Sequence, residues 1–260
     1  MSAPTFALAV RLRIRSTVLT AVGMASVILM VGALFPAVGD SIGKLDLPKG
    51  VSELLGGADY GTITGWMRSE IGAVYGPLVI AATAITAAAG STAGEEESGI
   101  LGLVLAHPIG RSRLVLEKAG AVAVGVLIIA IGTWLGLVVG VAVAGGGIGV
   151  ADQAALAVHL AFFGFASGAV ALALAGTTGR RAVAAGGAGA FAVAGFLING
   201  FAPLVHGVSW LKYASPFYYY AGHDPLGNGI HAGDLAVLAA ATAVLTAIAA
   251  VSLRRRDLRG

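Results

Sequence analysis

Six long apolar runs alternate with polar connections along the 260-residue chain. They cover approximately residues 17–38, 71–90, 119–144, 154–175, 182–199 and 235–253. A helix rising 1.5 Å per residue needs ~20 apolar residues to cross a hydrocarbon layer about 30 Å thick. The pattern therefore predicts an all-α polytopic membrane protein, with six transmembrane helices in one domain over residues 1–260. The fifth run opens on a barely apolar Ala-Gly-Gly-Ala-Gly stretch at 185–189. The first run is too long for the apolar core of a cleaved signal peptide, and Phe35-Pro36-Ala37 offers no small-x-small cleavage site.

The polar connections orient the helices. Arg11, Arg13 and Arg15 precede the first run. Arg111, Arg113 and Lys118 lie between the second and third, Arg180 and Arg181 between the fourth and fifth, and Arg254, Arg255, Arg256 and Arg259 after the sixth. Twelve of the 16 basic residues thus fall on one side, leaving Lys44, Lys49, Arg68 and Lys212 on the other. The positive-inside rule places both termini and the even-numbered connections in the cytoplasm. Acidic residues lean the opposite way: Asp40, Asp46, Glu53, Asp59, Glu70, Asp152, Asp224 and Asp234 lie outside. A missed helix would invert every later connection, so the agreement supports the count of six.

Composition agrees. Hydrophobic residues make up 57% of the chain and charged residues 11%, against roughly a quarter charged in soluble domains. The 40 glycines suit closely approaching membrane helices. With no cysteine, disulfides and thiolate chemistry are excluded.

Two membrane-proximal features follow. Residues 6–15 interleave Phe6, Leu8, Val10, Leu12 and Ile14 with the three arginines. This suits a short amphipathic helix on the inner leaflet, or a plain basic anchor. The outer segment 200–233 carries Trp210, Tyr213, Phe217, Tyr218, Tyr219 and Tyr220. It reads as an interfacial aromatic belt, or as a re-entrant lid.

The segment between the second and third runs carries the functional signal. Glu95, Glu96 and Glu97 are three adjacent carboxylates at the cytoplasmic end of the second helix. Ile100, Leu101, Val104 and Leu105 then repeat with helical spacing. His107-Pro108 ends that helix, because the residue before proline avoids the α region. Arg111 and Arg113 follow. A short helix between an acidic and a basic cluster suits docking on a soluble partner; a solvated cap is the other reading.

This segment, with Gly99, Leu101, Leu105, Ala106, Pro108, Arg111 and the closing Lys118, resembles the type-2 ABC transporter permease family. Members share a Glu-Glu-x-Gly-x-Leu-x-x-x-Leu-Ala-x-Pro pattern here; Gly110 stands where Ser is frequent. Ser215-Pro216-Phe217-Tyr218-Tyr219 is similar to a second family feature. The resemblance implies a membrane subunit of an exporter in the cytoplasmic membrane of a bacterium or archaeon. It implies two permease copies and two ATPase subunits, with ATP and Mg on the ATPases. The 95–113 segment would be the coupling helix, and Arg11, Arg13 and Arg15 would lie at the membrane surface. Glu95 to Glu97 are expected to pair with basic groups of the ATPase or of the N-terminal segment.

Absences narrow the function. No Gly-x-x-x-x-Gly-Lys-Ser/Thr occurs, so this chain has no P-loop of its own and is not expected to be an enzyme. An intramembrane serine protease needs a Ser–His pair in the membrane, and the sixth run has no histidine to face Ser167. Membrane interiors nearly free of charge disfavour ion-coupled transport. His159 in the fourth run is a packing residue or a cargo contact, and Gly132, Gly136 and Gly140 form a smooth stripe for packing or for a translocation path. His206, His223, Asp224, His231 and Asp234 match no ligand spacing, so no metal site is expected. Nothing suggests nucleic acid. A membrane anchor that docks a cytoplasmic partner without moving cargo is the alternative function.

Overall fold

A computed structural model describes residues 4–42, 59–106 and 109–257. Among these every regular element is helical. They are α1 (Pro4–Ile42), α2 (Ile63–Met67), a π-helical segment (Arg68–Tyr75), α3 (Gly76–Ser91), α4 (Ala93–Glu97), α5 (Ile100–Leu105), α6 (Arg111–Val143), α7 (Val150–Thr178), α8 (Arg181–Phe201), two 3₁₀ turns (Ala202–Leu204 and Ser209–Ala214), α9 (Pro216–Ala221), α10 (Pro225–Asn228) and α11 (Ala232–Arg255). Six stretches are long and apolar enough to cross a membrane: α1, the run from α2 to α4, α6, α7, α8 and α11. All six expected runs fall within them to within a residue, including the glycine-rich fifth.

Two elements differ from expectation. The separate amphipathic helix at the N-terminus is absent: residues 6–15 are the first turns of the 39-residue α1. At 1.5 Å per residue α1 is about 58 Å long, well beyond a hydrocarbon layer. No proline or glycine interrupts it between Phe6 and Thr17, and its first turn is tied to α6, where Glu117 accepts from the Thr5 hydroxyl and, at 3.3 Å, from the Phe6 N–H. The second difference is the π-helical turn at the head of α3. There Gly76 N–H bonds Ile71 O, five residues back. Tyr220 donates its hydroxyl to Gly72 O at 2.7 Å, giving a carbonyl in this irregular turn a partner.

The core is built around α7, the most buried span, which packs against α3, α6, α8 and α11. Its second half is nearly all small residues, and a left-handed Gly179 closes it. α1 lies mainly along α6. The contact runs through the predicted glycine stripe. A Cβ on Gly132 would sit 2.9 Å from Ala21 Cβ, one on Gly136 2.8 Å from Ala25 Cα, and one on Gly140 2.9 Å from Ile28 O. The stripe is thus helix packing within the chain, with α1 and α6 running parallel. Lipid-suited residues such as Leu12, Leu19, Val193 and Val244 remain exposed on the outer helices.

The 200–233 segment does not lie flat. Ser215 Oγ reaches back to Gly195 O at 2.7 Å, about two turns before α8 ends. Phe217 packs edge-on against Phe163 of α7, centroids 4.6 Å apart, and against Phe196 of α8. Trp210 and Tyr213 stay exposed. Phe217 and Tyr220 are therefore core, and Tyr218 and Tyr219 are half-buried between them and the exposed pair.

Candidate functional site

The basic connections meet at one end of the helix bundle. The α4 helix carries the three carboxylates, and a left-handed Gly99 (φ 74°) turns the chain into α5. A side chain at that φ would be strained, which explains glycine at this position. Each carboxylate has a partner from a different span. Glu95 accepts from Lys118 Nζ of α6 at 2.5 Å. Glu96 forms a two-point pair with the Arg256 guanidinium, just past α11, with one contact at 2.8 Å. Glu97 accepts from the Arg181 backbone N–H, the first residue of α8, at 2.9 Å.

Arg256 is the hub. Its side chain covers Gly179 at the end of α7, where a Cβ would collide with it, and its Nε donates to Gly176 O at 3.3 Å. The guanidinium thus satisfies both a carboxylate and a carbonyl of a helix C-terminus, where cations are favoured. Arg111 closes the arrangement from α6, donating to Leu253 O (3.2 Å) and Arg256 O (2.7 Å). Arg113 bonds Glu117 one turn on, at 2.8 Å, and Glu117 holds the start of α1. Glu96 and Lys118 are almost fully buried. A buried charge is tolerated only when paired and hydrogen-bonded, and both of these charges are paired here.

Within the chain, the carboxylates find their contacts elsewhere than on the N-terminal segment alone. The direct partners of the three carboxylates include α6, α8 and the end of α11. The N-terminal segment contributes at longer range: Arg13 lies against Gly90 and acts electrostatically on Glu95, while Arg11 and Arg15 are exposed. Arg256, Lys118 and Arg181 counted in the sequence only as topology markers or motif ends. Nothing in their spacing ties a residue beyond the sixth run to one after the second.

On this anchored platform α5 seats Leu101 inward, 1% exposed, with Val104 and Leu105 half-buried. Ile100 and Leu103 face outward at 48% and 72% exposure. His107 and Pro108, expected to end this helix, lie outside the described residues. The chemistry on offer is mechanical: a rigid, ion-paired mount presenting two apolar side chains.

Elsewhere, an apolar cleft of about 290 Å³ opens between α3 and α8, lined by Val74, Pro77, Leu78, Val193, Phe196 and Phe217 among others. Its size and lining suit a small apolar ligand. At the bundle end opposite the carboxylates, Arg68 pairs with Asp224. His159 is fully buried and its Nε2 accepts the His231 backbone N–H at 3.2 Å. His223, His231 and Asp234 come together beside it; His206 and Asp224 do not join them.

The comparisons with known proteins fit a membrane-spanning chain. The family described as multidrug efflux system permease Rv1217c, C-terminal domain, matches residues 3–254. No curated protein matches.

Proposed function

Because the chain belongs to the family of the Rv1217c multidrug efflux permease C-terminal domain, we propose that it is the transmembrane permease subunit of an ATP-driven ABC exporter, of the type-2 kind that its 95–113 segment resembles. The observation that carries this reading is the mount on α4 and α5. Three carboxylates, each tied to a different span, support a short helix that turns Ile100 and Leu103 away from the bundle. A movement imposed on α5 would reach α6, α8 and α11 through ion pairs and hydrogen bonds, which suits a coupling helix. Glu95, Glu96, Glu97, Gly99, Leu101, Leu105, His107, Pro108, Arg111 and Arg113 form the coupling segment. The partners are two ATPase subunits, which hold the ATP and Mg, and a second permease copy. This chain carries no nucleotide site and is no enzyme by itself. Its basic end faces the cytoplasm of a bacterium or archaeon. The α3–α8 cleft and the nearly uncharged helices suit an apolar or amphipathic cargo.

The test is ATPase activity in vesicles that hold this chain with the ATPase subunit that co-purifies with it. Amphipathic dyes should stimulate hydrolysis, and Leu103→Glu should abolish the stimulation while the chain still inserts and melts as before. A membrane anchor that moves no cargo would show no dye response in the unaltered complex.

A further inference from the structure

The last connection enters α11 through a cluster that the efflux reading does not use. His231 caps the helix: its Nδ1 accepts the Asp234 N–H at 3.3 Å. His223 Nδ1 lies 2.7 Å from Asp234 Oδ2, and His231 Nδ1 lies 3.2 Å from the same oxygen. The two imidazoles stack, centroids 4.0 Å apart and planes 11° from parallel, so both present the same edge to one carboxylate. Both rings reach solvent, whereas the Asp234 side chain is only 5% exposed.

This geometry leaves one lone pair badly placed. His231 Nδ1 points its lone pair at the Asp234 N–H, so it carries no proton to offer the carboxylate. That unprotonated nitrogen lies 3.2 Å from the Asp234 carboxylate oxygen with no proton to place between them. A proton on His223 satisfies only the other contact. A cation seated between the three atoms would replace this acceptor–acceptor contact, taking the His231 Nδ1 lone pair in exchange for the 3.3 Å N–H contact.

We propose that His223, His231 and Asp234 form a binding site for a divalent transition metal, with zinc as the reference ion. Donors each 2.0–2.1 Å from a tetrahedral zinc sit roughly 3.3 Å apart. Here the three ligand atoms lie within 4.8 Å of one another, two of the pairs at 2.7 and 3.2 Å. Two imidazole nitrogens and one carboxylate oxygen suit zinc or copper, and not calcium or magnesium, which take all-oxygen shells. A helix N-terminus repels cations, and the Asp234 charge offsets this. A fourth position stays open to water. The His231 N–H to His159 Nε2 bond supplies a tie behind the site. The metal would fasten the connection after α9 to both α7 and α11.

The test is a zinc titration of the purified full chain in lipid nanodiscs, against a chromophoric chelator. One zinc per chain is expected, at micromolar concentration or tighter. His223→Ala should weaken it by roughly tenfold or more. So should His231→Asn, which keeps a capping oxygen. His206→Ala, also an outer-segment histidine, should change nothing. Metal-free thermal melts report folding. His223 lies outside the cap, so its variant carries the result alone if His231→Asn unfolds. Unchanged affinity in His223→Ala overturns the site. So does an equal loss in His206→Ala, which would mark scattered surface histidines, or the lack of saturable binding in the unaltered chain.

Discussion

Glu96 and Arg256 are separated by 160 positions and share a two-point contact in which the carboxylate is buried and the guanidinium partly so. Removing one member takes the two-point partner from a charge held where water is scarce. Glu96→Gln should therefore cost about 3 kcal/mol in equilibrium unfolding in mixed micelles, and Arg256→Ala a similar amount. The double variant should lose less than the sum, and additive losses would mean that the pair is not coupled. Charge reversal at Glu95 and Glu96 should in addition uncouple ATP hydrolysis from transport in the reconstituted complex; unchanged coupling would remove the carboxylates from transmission. Tyr220 offers a gentler probe. Burial drives its phenol well above the usual range, so it remains a donor to Gly72 O at every physiological pH. Tyr220→Phe should cost about 1 kcal/mol, read from the same unfolding curves. The acidic cluster was plain in the sequence because three carboxylates beside a membrane helix oppose the usual bias. Their partners were not, since an ion pair depends on which helix ends meet in space, and loop composition carries no record of that.

The spans themselves were legible, because apolar length is dictated by the bilayer and needs no tertiary information. What escaped was continuity. Residues 6–15 read as a surface helix because alternating arginine and apolar residues suit an interface, yet contact with α6 prolongs α1 instead. The π-helical turn left no trace either, since its carbonyl partner comes from Tyr220, far along the chain. The glycine stripe was visible and its role was open; the register against Ala21, Ala25 and Ile28 assigns it to packing. Gly136→Leu should accordingly destabilise the fold by about 1–3 kcal/mol through overpacking. Gly186→Ala should be tolerated, as a Cβ there meets nothing within 4 Å. Equal melting of the two variants would contradict the α1–α6 contact.

At the scale of the molecule, charge alone separates the two ends of the bundle, and the absence of cysteine makes the proposed orientation simple to test. Ser98→Cys and His206→Cys lie at opposite ends. A thiol reagent that cannot cross membranes should label only the second in intact cells, and labelling of the first would invert the topology. The parallel α1–α6 contact also bears on biosynthesis. Ala21 and Gly132 meet across 111 positions of chain. Ribosomes add about 5–20 residues per second, so α1 waits roughly 5–20 s for its partner. Throughout that interval the first span stands in lipid with a narrow, small-residue face unfilled, while the second span is already inserted. An insertion chaperone, or a transient partner with its own small-residue face, would find α1 most receptive during that interval and closed to it once the third span arrives.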